Sequence, residues 1–266
     1  MTHARNRYRR ALELREALVA TDPGDAAARK DLALAHERIG DTLGNPGFPN
    51  LGDPAGALAS FERMQQIVER LAAENPSDVD ARHRLAIGYE KLGKVKAGAG
   101  DARGALELYR METEALQQLS AEDPANAAYR RNLSVAHGNE GSALLELGDV
   151  EGALGSYRRM LAIREDLAVS DPANRAAQRD VAWAYDVIGN AQSALKDDAG
   201  AFESYRRAAS LLDELVAADP AQRAARERLA GTLESLAGVL TRLGRERGGA
   251  CSGRSQPRAA PRLALD

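Results

Sequence analysis

The chain of 266 residues has one cysteine, Cys251, and so can form neither an internal disulfide nor a thiolate metal cage. Aromatic residues are scarce, at 4%, and no apolar run approaches the ~18 residues that a membrane-spanning helix requires. An excess of one charge is lacking too, since 36 Lys+Arg oppose 39 Asp+Glu for a net −3. Nucleic-acid binding relies on clustered cations that displace counterions from phosphates, and this balance implies no such partner. The start of the chain is basic, but Glu13, Arg15 and Glu16 interrupt any apolar signal region. Together these absences predict a soluble chain in a reducing, cytoplasmic compartment, with no membrane partner. Alanine is abundant while valine, isoleucine and threonine are few, which favours helices packed closely at small side chains.

An internal repeat organises the rest. Asp22-Pro23, Asn75-Pro76, Asp123-Pro124, Asp171-Pro172 and Asp219-Pro220 follow one another at steps of 53, 48, 48 and 48 residues. Leu32, Leu85, Leu133, Val181 and Leu229 keep that step. So do His36, Tyr89, His137, Tyr185 and Leu233, and then Ile39, Leu92, Glu140, Ile188 and Leu236. Within a repeat these positions are i, i+4 and i+7, one stripe along a helix, here named helix A. A second stripe, Ala57, Leu58, Phe61, Ile67 and Leu71, returns from Ala105, Ala153 and Ala201 onward as helix B. Gly52-Asp53, Gly100-Asp101 and Gly148-Asp149 separate A from B, with Lys196-Asp197 in the fourth unit. Glycine there can end helix A in the left-handed region, and aspartate can cap helix B. The Asp-Pro pair closes helix B, because proline cannot continue the hydrogen-bonded ladder.

The order Leu92-Gly93, Gly100-Asp101, Ala105-Leu106, Tyr109 and Pro124 resembles the tetratricopeptide repeat, and the linked positions recur four times. The period departs from the family's usual value of about 34 residues. The extra length divides into about two more turns for each helix, so the resemblance implies helices near 20 residues and ~30 Å long. It implies an all-α, right-handed solenoid of antiparallel helix pairs, about ten helices over residues 1–245. An orphan helix B spans 4–21, four A/B repeats span 25–218, and an orphan helix A spans 222–244. Residues 246–266, rich in Gly, Ser, Pro and Arg, read as a disordered tail. Neither end carries a polar cap, which predicts self-association through the open edges.

The first A-to-B connection is longer by five residues, and its glycines and prolines from Gly44 to Asp53 predict a loop. Residues 40–60 are similar to a segment of the repeat regions that follow the kinase domain of some bacterial serine/threonine kinases. That similarity implies, as an alternative, a regulatory or sensor segment derived from such a kinase or partnering one. No phosphate-binding glycine loop, H-R-D or D-F-G motif is present, so no kinase activity is expected.

No group of residues suggests catalysis, and neither a cofactor nor a metal ion is expected. His36 and His137 occupy a core-type position held by Tyr in two other repeats. His3 and His83 have no ligand partner at helical spacing, and no H-E-x-x-H is present. The Asp residues of the Gly-Asp turns fit capping better than acid catalysis. Gly98 and Gly100 follow a helix rather than a strand, which excludes a dinucleotide loop.

Tetratricopeptide superhelices line their concave surface with helix A, so the resemblance implies a partner-binding groove on the A face turned away from helix B. That face carries Lys30, Leu34, Glu37 and Asp41; His83, Ile87, Glu90 and Lys94; and Arg131, Val135, Gly138 and Ser142. In the last units it carries Arg179, Trp183, Asp186 and Asn190, then Glu227, Gly231, Glu234 and Gly238. Across units they form a cationic band (Lys30, Arg131, Arg179, with His83), an apolar band (Leu34, Ile87, Val135, Trp183) and an acidic band (Glu37, Glu90, Asp186, Glu234). Such a surface suits a peptide or helix with apolar anchors between charges. It also suits a second role, in which the apolar band joins adjacent A helices. Family members that clamp acidic chaperone tails use cationic or amide side chains where Glu37 and Glu90 stand, so that ligand is not expected.

Overall fold

The computed structural model describes residues 2–45 and 50–252. Among these residues the chain is all-α, with ten helices and no strand. Two compact units, Met1–Asp171 and Pro172–Asp266, divide it at an Asp-Pro pair. The first unit holds α1 (Thr2–Thr21), α2 (Ala26–Gly44), α3 (Pro54–Glu74), α4 (Val79–Gly98), α5 (Ala102–Glu122), α6 (Ala127–Glu146) and α7 (Val150–Ser170). The second holds α8 (Arg175–Ala194), α9 (Asp198–Ala218) and α10 (Arg223–Ser252). Helix A of the repeat is thus α2, α4, α6, α8 and α10, and helix B is α1, α3, α5, α7 and α9. Consecutive A and B helices pack as pairs, α2 with α3, α4 with α5, α6 with α7 and α8 with α9.

Side chains suited to capping set the boundaries. Asp53, Asp101, Asp149 and Asp197 each accept the backbone N–H of the glycine three residues on, at 2.8–2.9 Å, which satisfies one of the helix's orphan donors. Asp25, Asp78, Asn126 and Asn174 likewise cap the A helices. Helix B ends where the N–H of Asn75, Asp123, Asp171 or Asp219 donates to the leucine carbonyl four residues back, and the proline that follows prevents continuation. The A-to-B turns take positive φ at Gly52 (72°), Gly100 (82°) and Gly148 (83°), and also at Lys196 (62°), where a side chain occupies the left-handed region.

One contact locks every hairpin. The glycine of the repeated apolar-Gly or Glu-Gly pair lies under the helix-B aromatic: Gly40 under Phe61, Gly93 under Tyr109, Gly141 under Tyr157 and Gly189 under Tyr205. A Cβ at Gly93 or Gly141 would stand 2.5 Å from the ring and one at Gly189 2.7 Å, well inside van der Waals contact. Small residues therefore set the interhelical distance, and the buried rings fill the layer between helices along with Met64, Leu116, Met160 and Leu212. At the open end of each pair in the first unit, an arginine of helix A meets an acid of helix B. Arg29 reaches Glu74 at 2.8 and 2.6 Å, Arg82 reaches Glu122 at 2.6 and 2.5 Å, and Arg130 reaches Asp166 at 3.1 Å. These pairs join the start of one helix to the end of the next, which fixes their antiparallel sense. Their acids are largely exposed, so solvent screens each pair, which serves register more than stability.

Three boundaries and positions differ from the sequence reading. The last helix does not stop at 244: α10 runs to Ser252, because Arg245, Glu246, Arg247 and Ala250 are adequate helix formers and two glycines do not suffice to end it. The expected disordered tail therefore loses residues 246–252 to helix, and residues 253–266 lie outside the described ones. Leu233, which the repeat places in the core beside Tyr185 and His137, is 48% exposed, since no described helix follows α10 to cover that side. Of the long first connection, residues 46–49 also lie outside the described ones. Its flanks are tied down by Leu51 N–H to the Thr42 carbonyl at 3.0 Å and Asp53 N–H to the Leu43 carbonyl at 2.8 Å.

Candidate functional site

The charged bands of the A face are largely engaged with neighbouring A helices. Lys30 of α2 binds Asp78 at 2.8 Å and Asp80 at 3.2 Å, at the start of α4. Lys91 of α4 binds Asp41 of α2 at 2.7 Å and lies 4.0 Å from Glu37. Burial raises the Glu37 carboxyl above its ordinary pKa, against the pull of Lys91. Glu90 pairs along α4 with Lys94. His83 of α4 shares a 2.9 Å hydrogen bond through Nε2 with Asn132 Nδ2 of α6, and its ring meets the Tyr129 ring edge-on at 5.0 Å. Burial lowers its pKa, which disfavours the imidazolium that the cationic band would need. In the second unit Asp186 accepts the Thr232 hydroxyl of α10 at 2.7 Å and lies 3.8 Å from Arg228, and burial raises its carboxyl. Arg131 and Glu234 are exposed and Arg179 is half-buried.

The apolar band is half-buried at all four positions, Leu34, Ile87, Val135 and Trp183. Ile87 packs against the core of Ala33, Met64 and Val68, so part of the band does join adjacent helices. Ile87 and Val135 line a cleft in the first unit, and Trp183 lines a cavity in the second.

In the second unit a cavity of about 510 Å³ lies beside Trp183 and is lined also by Asp186, Asn190, Tyr205, Glu227 and Gly231. Its origin is legible in the repeat register. Gly231 occupies the α10 position that holds Leu34, Ile87, Val135 and Trp183 in the other units, and a Cβ there would meet nothing within 4 Å. The missing side chain leaves room next to the indole. Apolar and hydrogen-bonding groups both line that space.

In the first unit a cleft of about 70 Å³ is lined by Ala86, Ile87, Glu90, Glu112, Leu116, Asn132 and Val135. Glu112, on α5, was not among the residues that the face pattern selects. It is only 2% exposed, and its Oε2 has no hydrogen-bond partner among the described residues. Burial, then the nearby Glu90, holds its carboxyl well above the usual range, while Lys94 and Asn139 act the other way. A signal existed in the sequence. In repeat register Glu112 replaces Met64, Met160 and Ala208, all fully buried, so an acid stands at a core position.

The histidines assigned to packing do lie in the core. His36 is buried with its pKa lowered by desolvation and then by Arg63, and His137 is buried with Nδ1 3.5 Å from Glu140. Among the described residues, no three His, Cys, Asp or Glu side chains are grouped to hold a metal ion, and no helix is long and apolar enough to cross a membrane.

No protein-family profile matches the chain, and no curated protein matches it. Solved structures do. BtubC (BKLC) from P. vanneervenii aligns over 98% of this chain and 96% of its own, with 18% identity and a TM-score of 0.57. The yeast histone chaperone Hif1, described as a scaffold protein recruiting protein complexes to core histones, aligns over 90% and 97% with 16% identity and a TM-score of 0.47. TTC0263, a thermophilic TPR protein in Thermus thermophilus, aligns over 87% and 93% with 18% identity and a TM-score of 0.39. At these identities the likeness is one of fold: the chain is built of consecutive tetratricopeptide-like helix pairs.

Proposed function

We propose that this protein is a non-catalytic interaction scaffold that binds a peptide or helix of a protein partner on the exposed face of its A helices. The observation that carries this reading is the cavity beside Trp183, where Gly231 leaves the indole's neighbourhood open and Asp186, Asn190 and Glu227 supply polar contacts around it. A buried indole is a common energetic anchor of interfaces, and the surrounding polar groups give orientation. In the first unit the acidic band is held by Lys91 and Lys94, so the partner meets paired charges there rather than a bare acidic strip. The partner is therefore selected by shape and apolar anchors more than by net charge.

The alternative of a kinase-linked regulatory segment draws on the resemblance at residues 40–60. There Asn45 donates to Asp41 Oδ1 at 2.6 Å and Asn50 donates to the Asn45 carbonyl at 2.8 Å. Those side chains hold the connection together, and nothing in their arrangement adds a site.

Affinity capture followed by mass spectrometry tests the scaffold reading when the wild-type chain is compared with Gly231→Leu. The substitution places a side chain in the cavity without removing a contact, and leucine suits a helix interior better than glycine. Proteins captured by the wild type and lost by Gly231→Leu are the expected result. Identical capture by both chains would show that this cavity is not where partners bind.

A further inference from the structure

The cleft under Ile87 and Val135 contains a carboxylic acid with no evident structural use. Its neighbours in repeat register are methionine and alanine, which fill the same layer without a polar atom. An acid at such a place is costly to bury unless it meets a donor; the Asn139 amide stabilises the charged carboxyl in part, yet Glu112 Oε2 has no partner at hydrogen-bond distance among the described residues. The space it faces is about 70 Å³, room for about two water molecules at ~30 Å³ each, or for an ammonium group with the end of its stem. Its walls are apolar on the sides, from Ala86, Ile87, Leu116 and Val135. Glu90 and Asn132 stand with Glu112 as its polar lining, and Asn132 Nδ2 is already occupied by His83 Nε2 at 2.9 Å, which leaves the amide oxygen as its remaining group.

We infer that this cleft receives a lysine side chain of the bound protein partner, with the methylene stem along Ile87 and Val135 and the ammonium among Glu112, Glu90 and Asn132. Three acceptors match the three donors of an ammonium, and a slender aliphatic stem matches the apolar walls. A guanidinium would need a coplanar pair of acceptors and a wider slot. Lys94, which pairs with Glu90 on α4, is the internal competitor for part of this site. The inference rests on the scaffold reading for the direction from which the lysine arrives, because Ile87, Glu90 and Val135 belong to the same A face. A primary alkylammonium could equally come from a free polyamine, and the test separates the two sources.

The probe is n-butylammonium chloride, added to the full chain while backbone amide resonances are followed, with n-butanol and putrescine titrated in parallel. Saturable shifts centred on Glu112, Leu116 and Val135 are expected with n-butylammonium and not with n-butanol. Glu112→Gln, which keeps the shape and removes the charge, should weaken them at least tenfold, and Lys94→Ala should strengthen binding several-fold. Equal shifts from n-butanol, or an unchanged response in Glu112→Gln, would overturn the inference. Putrescine binding a hundredfold tighter than n-butylammonium would overturn the partner lysine in favour of a free polyamine. The two proposals fail separately. Loss of partner capture in Gly231→Leu with no ammonium response leaves the scaffold and removes the lysine cleft. An ammonium response with capture identical in both chains removes the Trp183 cavity, and the partner lysine is then overturned if Glu112→Gln also captures the same proteins as wild type.

Discussion

Gly141 and Gly155 sit in the helices of one hairpin and differ in what a methyl group would meet. At Gly141 a Cβ would stand 2.5 Å from the Tyr157 ring, whereas at Gly155 nothing lies within 4 Å. Gly141→Ala should therefore destabilise by about 1–3 kcal/mol through overpacking, and Gly155→Ala should stabilise by about 0.5–1 kcal/mol through helix propensity. Chemical denaturation of the two variants checks both signs, and two changes of the same sign would contradict the packing account. Glu112 offers a second test, because its carboxyl is raised by burial and then by Glu90, with Lys94 and Asn139 opposing. A carboxyl raised on folding binds its proton more tightly in the native state, so its contribution to stability is full below the unfolded value near 4.5 and is lost as pH rises through the folded value. Glu112→Gln should remove that loss, which predicts a variant more stable than wild type above the folded pKa and little changed at low pH. Thermal melts across pH would show it, and a wild type that outlasts the variant at high pH would argue that Glu112 is ionised and paired. The Gly-aromatic pairing was legible in the sequence as a recurrence in fixed register. Glu112 was legible only as an acid in a column of methionine and alanine on helix B, outside the helix A face.

At the scale of the element, each helix start and stop was readable because it depends on local chemistry. Aspartate or asparagine supplies the N-cap, glycine supplies the left-handed turn, and proline forbids continuation. Where such punctuation is missing the reading failed. Gly244 follows Leu243 in register with Gly148, but Arg245 stands in place of the capping aspartate, and α10 continues to Ser252. The fourth turn retains the shape of the others with Lys196 at φ 62° in place of glycine. A lysine there carries the Cβ-to-carbonyl crowding of the left-handed region, about 1–2 kcal/mol, partly offset by the greater freedom glycine has when unfolded. Lys196→Gly should thus stabilise by about 0.5–1 kcal/mol, measured by thermal melting, while Gly148→Lys should destabilise. A loss of stability in Lys196→Gly would mean that the lysine side chain contributes more than its backbone costs.

For the whole molecule, charge read from sequence overstated what a partner would encounter. Lys30, Glu37, Glu90 and Asp186 lie on the A helices, but Asp78, Lys91, Lys94 and Thr232 engage them. Side-chain pairing between helices follows from tertiary placement, and periodicity on one helix does not reveal it. Leu34, Ile87, Val135 and Trp183 lie on the A helices, and whether each joins helices or faces a cavity depends on the residue opposite. Ile87 meets Ala33, Met64 and Val68, whereas Trp183 has Gly231 across from it. Exposed ion pairs contribute about 0–1 kcal/mol each, and burial of an apolar side chain of this size contributes roughly 2–3 kcal/mol. Partner affinity should accordingly respond to the indole more than to the neighbouring charges, and only modestly to salt. The decisive measurement is the affinity of a captured partner for Trp183→Ala, taken together with the variant's melting temperature. The account predicts that affinity falls at least tenfold while the melting temperature stays within a few degrees of wild type. A melting temperature lowered by many degrees with affinity intact would contradict it, and would make Trp183 a core residue that holds the A helices together.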